Sequence, residues 1–276
     1  MHLVQRITSD INLLLLHQHD PDTYPFLLET ALKSREQHFD ILFAFPQQTL
    51  LLQREGLTLI ENAAAPTTTM KSDVNLTGSD FLSHLDKWWD LERVSFDRPE
   101  SLPFTGGWFV FLSYELAAQI EPSLQLPPNA QCEPLAYATR IPAAIIREHA
   151  TGCLYAVAES GQQSLIDTMV AHVQQLVMKR ADTSASSLTV ASITEENPER
   201  YLAGVDKIKT YIKNGDVFQV NLSRWWNVQF TQIPSHTGLY QQLRIHNPSP
   251  FFGMAKFGDS VIISSSPERL VKVQRS

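Results

Sequence analysis

The chain has 276 residues, 43% of them hydrophobic, and a formal net charge of -7, enough apolar sequence for one large core or two smaller ones. It offers no run of about 18 apolar residues to span a bilayer, and its opening, MHLVQRITSD, lacks the apolar stretch of a signal peptide. With no basic cluster to offset the acidic balance, nucleic acid and membrane are excluded as partners, and a soluble cytoplasmic protein is expected. Cys132 and Cys153 are too few for a disulfide framework and too far apart for a zinc pair, so two reduced thiols are expected.

In chain order, INLLLLH predicts a buried strand, and His17, Gln18, His19 and Asp20 after it predict a solvated loop rather than a metal site. YPFLLETAL follows a loop at Pro21 and Asp22. DILFAFPQQTLLLQREGLTLI, broken at Pro46 and at Glu55-Gly56, fits two or three antiparallel strands. A helix is expected from near Ser79, because Phe81, Leu82, Leu85, Trp88, Trp89 and Glu92 keep a 3.6-residue rhythm. WFVFLSYEL predicts a strand running into a short helix that ends near Glu121-Pro122. RIPAAIIREHATGCLYAVAES predicts a hairpin around Ala150-Thr151-Gly152, and Leu165, Ile166, Met169, Val173, Leu176 and Val177 mark the apolar face of a helix.

Ala181 to Ser187, small and polar without periodicity, is the expected linker between a region 1–180 and a region 188–276. Beyond it, Asn197 should cap a helix with Pro198 at its first position. Tyr201, Val205, Ile208 and Tyr211 or Ile212 should supply its buried stripe, and Gly215 its end. GDVFQVNLSRWWNVQF predicts a strand with Phe218, Val220 and Leu222 on one face and Gln219, Asn221 and Ser223 on the other. A row of three polar side chains faces either water or a polar ligand. A helix through GLYQQLRIH and a hairpin turning at Gly258-Asp259 complete the pattern.

Five motifs occur in order: LLET at Leu27 to Thr30, LPFTGG at Leu102 to Gly107 with SYEL after it, YIKNGDVFQVNLS, NPSPF at Asn247 to Phe251, and SSSPERL at Ser264 to Leu270. This set resembles the chorismate-utilising enzymes, and within them the aminodeoxychorismate synthase component I branch more than the anthranilate synthases, because of NLSR and SYEL. The resemblance implies an α+β fold of two facing antiparallel β-sheets with outer helices, incomplete at the C-terminus. Residues 1–180 would be an N-terminal region carrying tryptophan-pocket elements, and residues 188–276 the start of the chorismate-binding region.

The resemblance also implies site residues. Gln219 stands where water-using members carry lysine; a neutral amide cannot act as a base toward water, so ammonia is the implied nucleophile. Glu268, the glutamate of SPE, is the implied general acid that protonates the departing C4 hydroxyl of chorismate. Burial or nearby negative charge would have to raise its pKa above the ordinary 4.3 or so. Arg269 is expected to be an ion-pair or structural residue. Thr30, Glu36, Gln37, His38, Phe39, Pro250, Phe251 and Phe252 fall where the family builds a tryptophan pocket, though threonine replaces the usual serine at Thr30 and His38 stands where an arginine can occur. Tryptophan binding and ordinary packing between two sheets both fit these residues.

The implied partners are chorismate, tryptophan and a glutamine amidotransferase subunit that delivers ammonia. The implied cofactor is magnesium (Mg2+), whose glutamate ligands would lie beyond LVKVQRS, so a truncated chain inactive by itself is expected. The implied reaction gives 4-amino-4-deoxychorismate for folate synthesis. The alternatives are a fragment of anthranilate synthase component I, or a noncatalytic remnant that binds tryptophan or the amidotransferase.

Overall fold

The computed structural model describes residues 2–32, 39–61, 80–93, 102–126, 134–179 and 188–273. In chain order the elements are β1 (Leu3–Ile7), α1 (Leu13–His19), β2 (Phe26–Glu29), β3 (Phe39–Ala44), β4 (Gln48–Gln53), β5 (Gly56–Glu61), α2 (Phe81–Glu92) and β6 (Gly107–Leu112). After a 3-10 turn at Tyr114–Leu116 come α3 (Ala117–Ile120), β7 (Ala136–Ile141), β8 (Ala143–Glu148), β9 (Leu154–Ala158) and α4 (Gln163–Lys179). The remainder comprises β10 (Val190–Glu195), α5 (Pro198–Asn214), β11 (Trp226–Phe230), α6 (His236–His246), β12 (Phe251–Phe257) and β13 (Ser260–Ser266).

Two compact units result. One comprises Met1–Asp182 with Leu243–Ser276, the other Thr183–Gln242. The break near residue 182 falls at the expected linker, which itself lies outside the described residues. Residues 243–276, however, return to the first unit, because β12 pairs antiparallel with β2.

The first unit holds a seven-stranded antiparallel sheet, β1-β9-β8-β3-β2-β12-β13, and a four-stranded one, β5-β4-β7-β6. The apolar run of β4 explains how the sheets stack, since successive side chains point to opposite faces. Leu51 packs with Phe26, Phe43, Tyr137, Ile141 and Ala255, a cluster drawn from both sheets. Leu50 and Leu52 pack instead with Phe81 and Trp88 of α2. Both faces of β4 are covered, which is why its pattern is continuous rather than alternating. Phe26 stacks on Phe109 with centroids 4.0 Å apart, and Tyr137 on Phe257 at 4.8 Å. α4 covers the seven-stranded sheet over β9, β1 and β8, and α1 packs against α4 and β2.

Arg140, only 3% exposed, ties these layers together. Its guanidinium donates to Glu92 of α2 at 2.9 Å and to Glu159, after β9, at 2.6 Å, and it lies 4.7 Å from the Trp108 ring centroid. Burial pushes the Glu159 carboxyl above the ordinary glutamate range, against the opposing pull of Arg140. Gly106 of LPFTGG makes room for this contact. Its φ is +132°, and a Cβ there would sit 2.3 Å from Glu159 Oε1.

The structure corrects the sequence expectation at several points. Residues 13–19 form a helix, not a strand. A short apolar run fits either form, and the Asn12 side chain, accepting from the Leu14 N–H at 3.2 Å, supplies a helix N-cap. His17 is therefore not in a solvated loop; it is fully buried, with Nδ1 2.6 Å from the Tyr24 carbonyl. The helix expected from Ser79 is α2, capped by Asp80, whose side chain accepts from the Ser83 N–H at 3.3 Å.

In the second unit, β10 and β11 form a two-stranded antiparallel ribbon. α5 has the expected Asn197 cap, Pro198 start and left-handed Gly215 end (φ 82°), but no residue of α5 is buried, so the stripe through Tyr201, Val205, Ile208 and Tyr211 does not form a core. Only Trp226–Phe230 of the expected long strand pairs. Residues 217–225 belong to no strand or helix; the ladder with β10 begins at Glu195 opposite Trp226. Phe218, Val220 and Leu222 are accordingly all exposed.

Candidate functional site

β2 lies between β3 and β12, with Glu29 opposite Phe252 and Leu28 opposite Ile41. This pairing brings the LLET, NPSPF and SSSPERL motifs, more than 200 residues apart in sequence, to one place in the first unit. A half-open cavity of about 430 Å3 there is lined by Leu28, Glu29, Thr30, Phe39, Ile41, Pro103, Pro250, Phe251, Phe252, Gly253, Ser264, Ser266 and Arg269. The volume suits a small organic ligand, and the lining is mostly apolar with a few polar groups. Gly253 permits the close strand approach, since a Cβ there would lie 2.9 Å from Leu28 Cδ2 and 3.3 Å from the Leu27 carbonyl oxygen.

The polar framework of the wall is well defined. The Thr30 N–H donates to Asp40 Oδ1 at 3.0 Å, and His149 Nε2 lies 2.7 Å from the same oxygen, so the buried Asp40 carboxylate has partners on two sides. The Ala31 N–H donates to the Ser249 carbonyl at 3.0 Å, fixing β2 to the chain entering β12. Glu29, 9% exposed, accepts from Arg244 of α6 at 3.2 and 3.3 Å.

Of the residues expected at a tryptophan pocket, Thr30, Phe39, Pro250, Phe251 and Phe252 line this cavity together, with Phe252 almost fully buried. Glu36, Gln37 and His38 lie outside the described residues. Leu28, Glu29, Ile41, Pro103 and Arg269 were not anticipated. Glu29 was adjacent to a named residue, but strand alternation gives no reason to assign it to the same site. Arg269, expected as an ion-pair or structural residue, has its Cζ 5.1 Å from the centroid of the Phe251 ring and meets no carboxylate among the described residues.

Glu268 lies just after β13, exposed, with the Ser266 hydroxyl donating to its carbonyl at 3.4 Å. Gln219 belongs to the second unit, in the exposed segment 217–225, where its Nε2 donates to Asn221 Oδ1 at 3.4 Å. That contact retains the same-side placement of alternate residues, although the segment is not a strand. Among the described residues no group of three or more His, Cys, Asp or Glu side chains is placed to hold a metal ion. Among the described residues no helix is long and apolar enough to cross a membrane.

Comparison with known proteins gives a consistent pattern. The family described as chorismate binding enzyme matches residues 39–276. The chain is 32% identical over 182 residues to the anthranilate synthase component I-like protein of Synechocystis sp., covering 64% of this chain and 36% of that one. To anthranilate synthase component 1 of Bacillus subtilis it is 32% identical over 208 residues, covering 67% and 40%. The crystal structure of anthranilate synthase component I from Streptococcus pneumoniae superposes with a TM-score of 0.60 at 22% identity, over 88% of this chain and 53% of that one. The two facing antiparallel sheets with outer helices are thus a fold shared with that protein, and the chain spans about two fifths of the length of these curated relatives.

Proposed function

The chain belongs to the chorismate binding enzyme family, and from that premise we propose that it contributes the ammonia-selecting and acid-donating residues of a chorismate-aminating enzyme. Gln219 supports this reading most directly: its amide is neutral and cannot take a proton from water, whereas ammonia arrives as a nucleophile without such a base. Glu268 supplies the proton to the leaving C4 hydroxyl. It lies exposed just after β13. An amidotransferase partner would deliver the ammonia.

The product is proposed to be 4-amino-4-deoxychorismate, on the strength of NLSR after Gln219 and of SYEL. Anthranilate is the second reading, favoured by the names of the relatives. Incubating the assembled enzyme with chorismate, ammonium and magnesium and separating the products decides between them. The 276-residue chain alone is expected to give neither. In the assembled enzyme, Glu268→Gln should lower turnover by about 100-fold while substrate binding changes little; near-normal turnover would remove Glu268 from the acid role.

The cavity between β2, β3 and β12 is proposed to take free tryptophan. Its support is the convergence of Thr30, Phe39, Pro250, Phe251 and Phe252 on one apolar space of suitable volume. Calorimetric titration of the chain with tryptophan is the test, and absence of heat at millimolar ligand would reduce the cavity to packing between strands.

A further inference from the structure

Resting on the reading of the cavity as an amino-acid site, we propose that Arg269 holds the carboxylate of the occupant and makes the cavity select aromatic acids over aromatic amines. Among the described residues, two formally charged side chains line the space, Glu29 and Arg269. Glu29 is nearly buried and is neutralised by Arg244, which meets both of its oxygens. The charge left for a ligand is therefore the positive one on Arg269.

The placement of Arg269 differs from that of most described arginines of this chain. In a protein with 29 acidic and 22 basic residues, six other described arginines (Arg93, Arg140, Arg147, Arg200, Arg224 and Arg244) each lie within 4.0 Å of a carboxylate. Arg269 does not, among the described residues. Its guanidinium instead rests near the face of Phe251, with Cζ 5.1 Å from the ring centroid, an arrangement that supports the planar group and, among the described residues, leaves its N–H fork without a carboxylate partner. Phe251 is itself a cavity wall. An aromatic ligand seated against Phe39, Phe251 and Phe252 would thus have a carboxylate-binding group at the edge of the same surface, and paired N–H donation to a carboxylate is the geometry for which arginine is suited.

The test uses the full 276-residue chain and three probes that separate the ligand's groups: tryptophan, indole-3-propionate, which keeps the carboxylate and lacks the amine, and tryptamine, which keeps the amine and lacks the carboxylate. In calorimetric titrations the two carboxylates are expected to bind at least about 10-fold more tightly than tryptamine, the scale of one charge-assisted contact. Arg269→Gln should bring both acids to the tryptamine level without changing tryptamine itself, and Arg269→Lys should restore only part of the difference. Melting temperature establishes that each variant remains folded; Arg269 is exposed and outside every helix and strand.

Tryptophan binding unchanged by Arg269→Gln would overturn the assignment and leave the amino-acid cavity standing. An equal loss for tryptamine and tryptophan would also overturn it, because the role would then be support of Phe251. If none of the three probes binds the unmodified chain, the amino-acid reading falls and this inference falls with it.

Discussion

α4 and α5 are both 17-residue amphipathic helices, yet they have opposite fates. In α4, Leu165, Ile166, Met169, Val173 and Leu176 are buried, since the helix lies on the outer face of the seven-stranded sheet. In α5 no residue is buried, although its N-cap, first-turn proline and left-handed glycine end are all formed. The neighbouring ribbon repeats the contrast. β10 is exposed throughout, with Val190 and Ile193 in solvent, whereas β8, an inner strand of the large sheet, is buried from Ala143 to Ile146. Capping and periodicity are thus enough to set a helix and its apolar face. Whether that face contributes a core depends on a surface elsewhere in the chain or on another chain, because helical stability in proteins comes mostly from packing.

The largest expected effect follows from this contrast. Met169→Ala should destabilise the first unit by about 2–5 kcal/mol through lost burial and a residual cavity, whereas Leu202→Ala in α5 should stay within about 0.5 kcal/mol. Chemical denaturation of the two variants is the measurement, and equal losses would mean that α5 is packed in solution. Amide hydrogen exchange sharpens the same comparison. Backbone amides of α5 and the β10–β11 ribbon should exchange at least about 100-fold faster than those of α4 and β8, because exposed elements open locally while core elements open with the whole fold. Uniform protection would merge the two units into one cooperative structure.

The smallest effect is electrostatic and belongs to the first unit alone. Burial raises the Glu159 carboxyl above its ordinary value, with Arg140 opposing. Between the ordinary and the raised value the folded state holds a proton that the unfolded state has released. Stability therefore falls as pH rises through that window and is fullest below it. Glu159→Gln should remove this part of the pH dependence, as read from melting temperature against pH. An unchanged slope in the variant would place the titration on another group.

Several local features that a single residue fixes were legible in the sequence. Asn197, Pro198 and Gly215 marked α5 correctly, and Ala150-Thr151-Gly152 and Gly258-Asp259 marked two hairpins that the structure forms. The approach failed where the signal was only a run of apolar or alternating residues. LLLL at 13–16 is helical because Asn12 caps it. The alternation from Phe218 to Ser223 gave same-side placement of Gln219 and Asn221 but not a strand, since a strand needs a neighbour to accept its hydrogen bonds and β10 reaches only as far as Trp226.

The sequence alone determined the helix ends, the turns and the family motifs, all of which depend on residues within a few positions of one another. Tertiary structure decided that β12 returns to pair with β2, and so decided that Thr30, Phe39 and Phe252 share a cavity whose charge rests on Arg269. The physical reason is range. A cap or a glycine turn is settled by backbone geometry at one site, whereas a cavity exists only after strands distant in sequence have been placed side by side by the burial of their common faces.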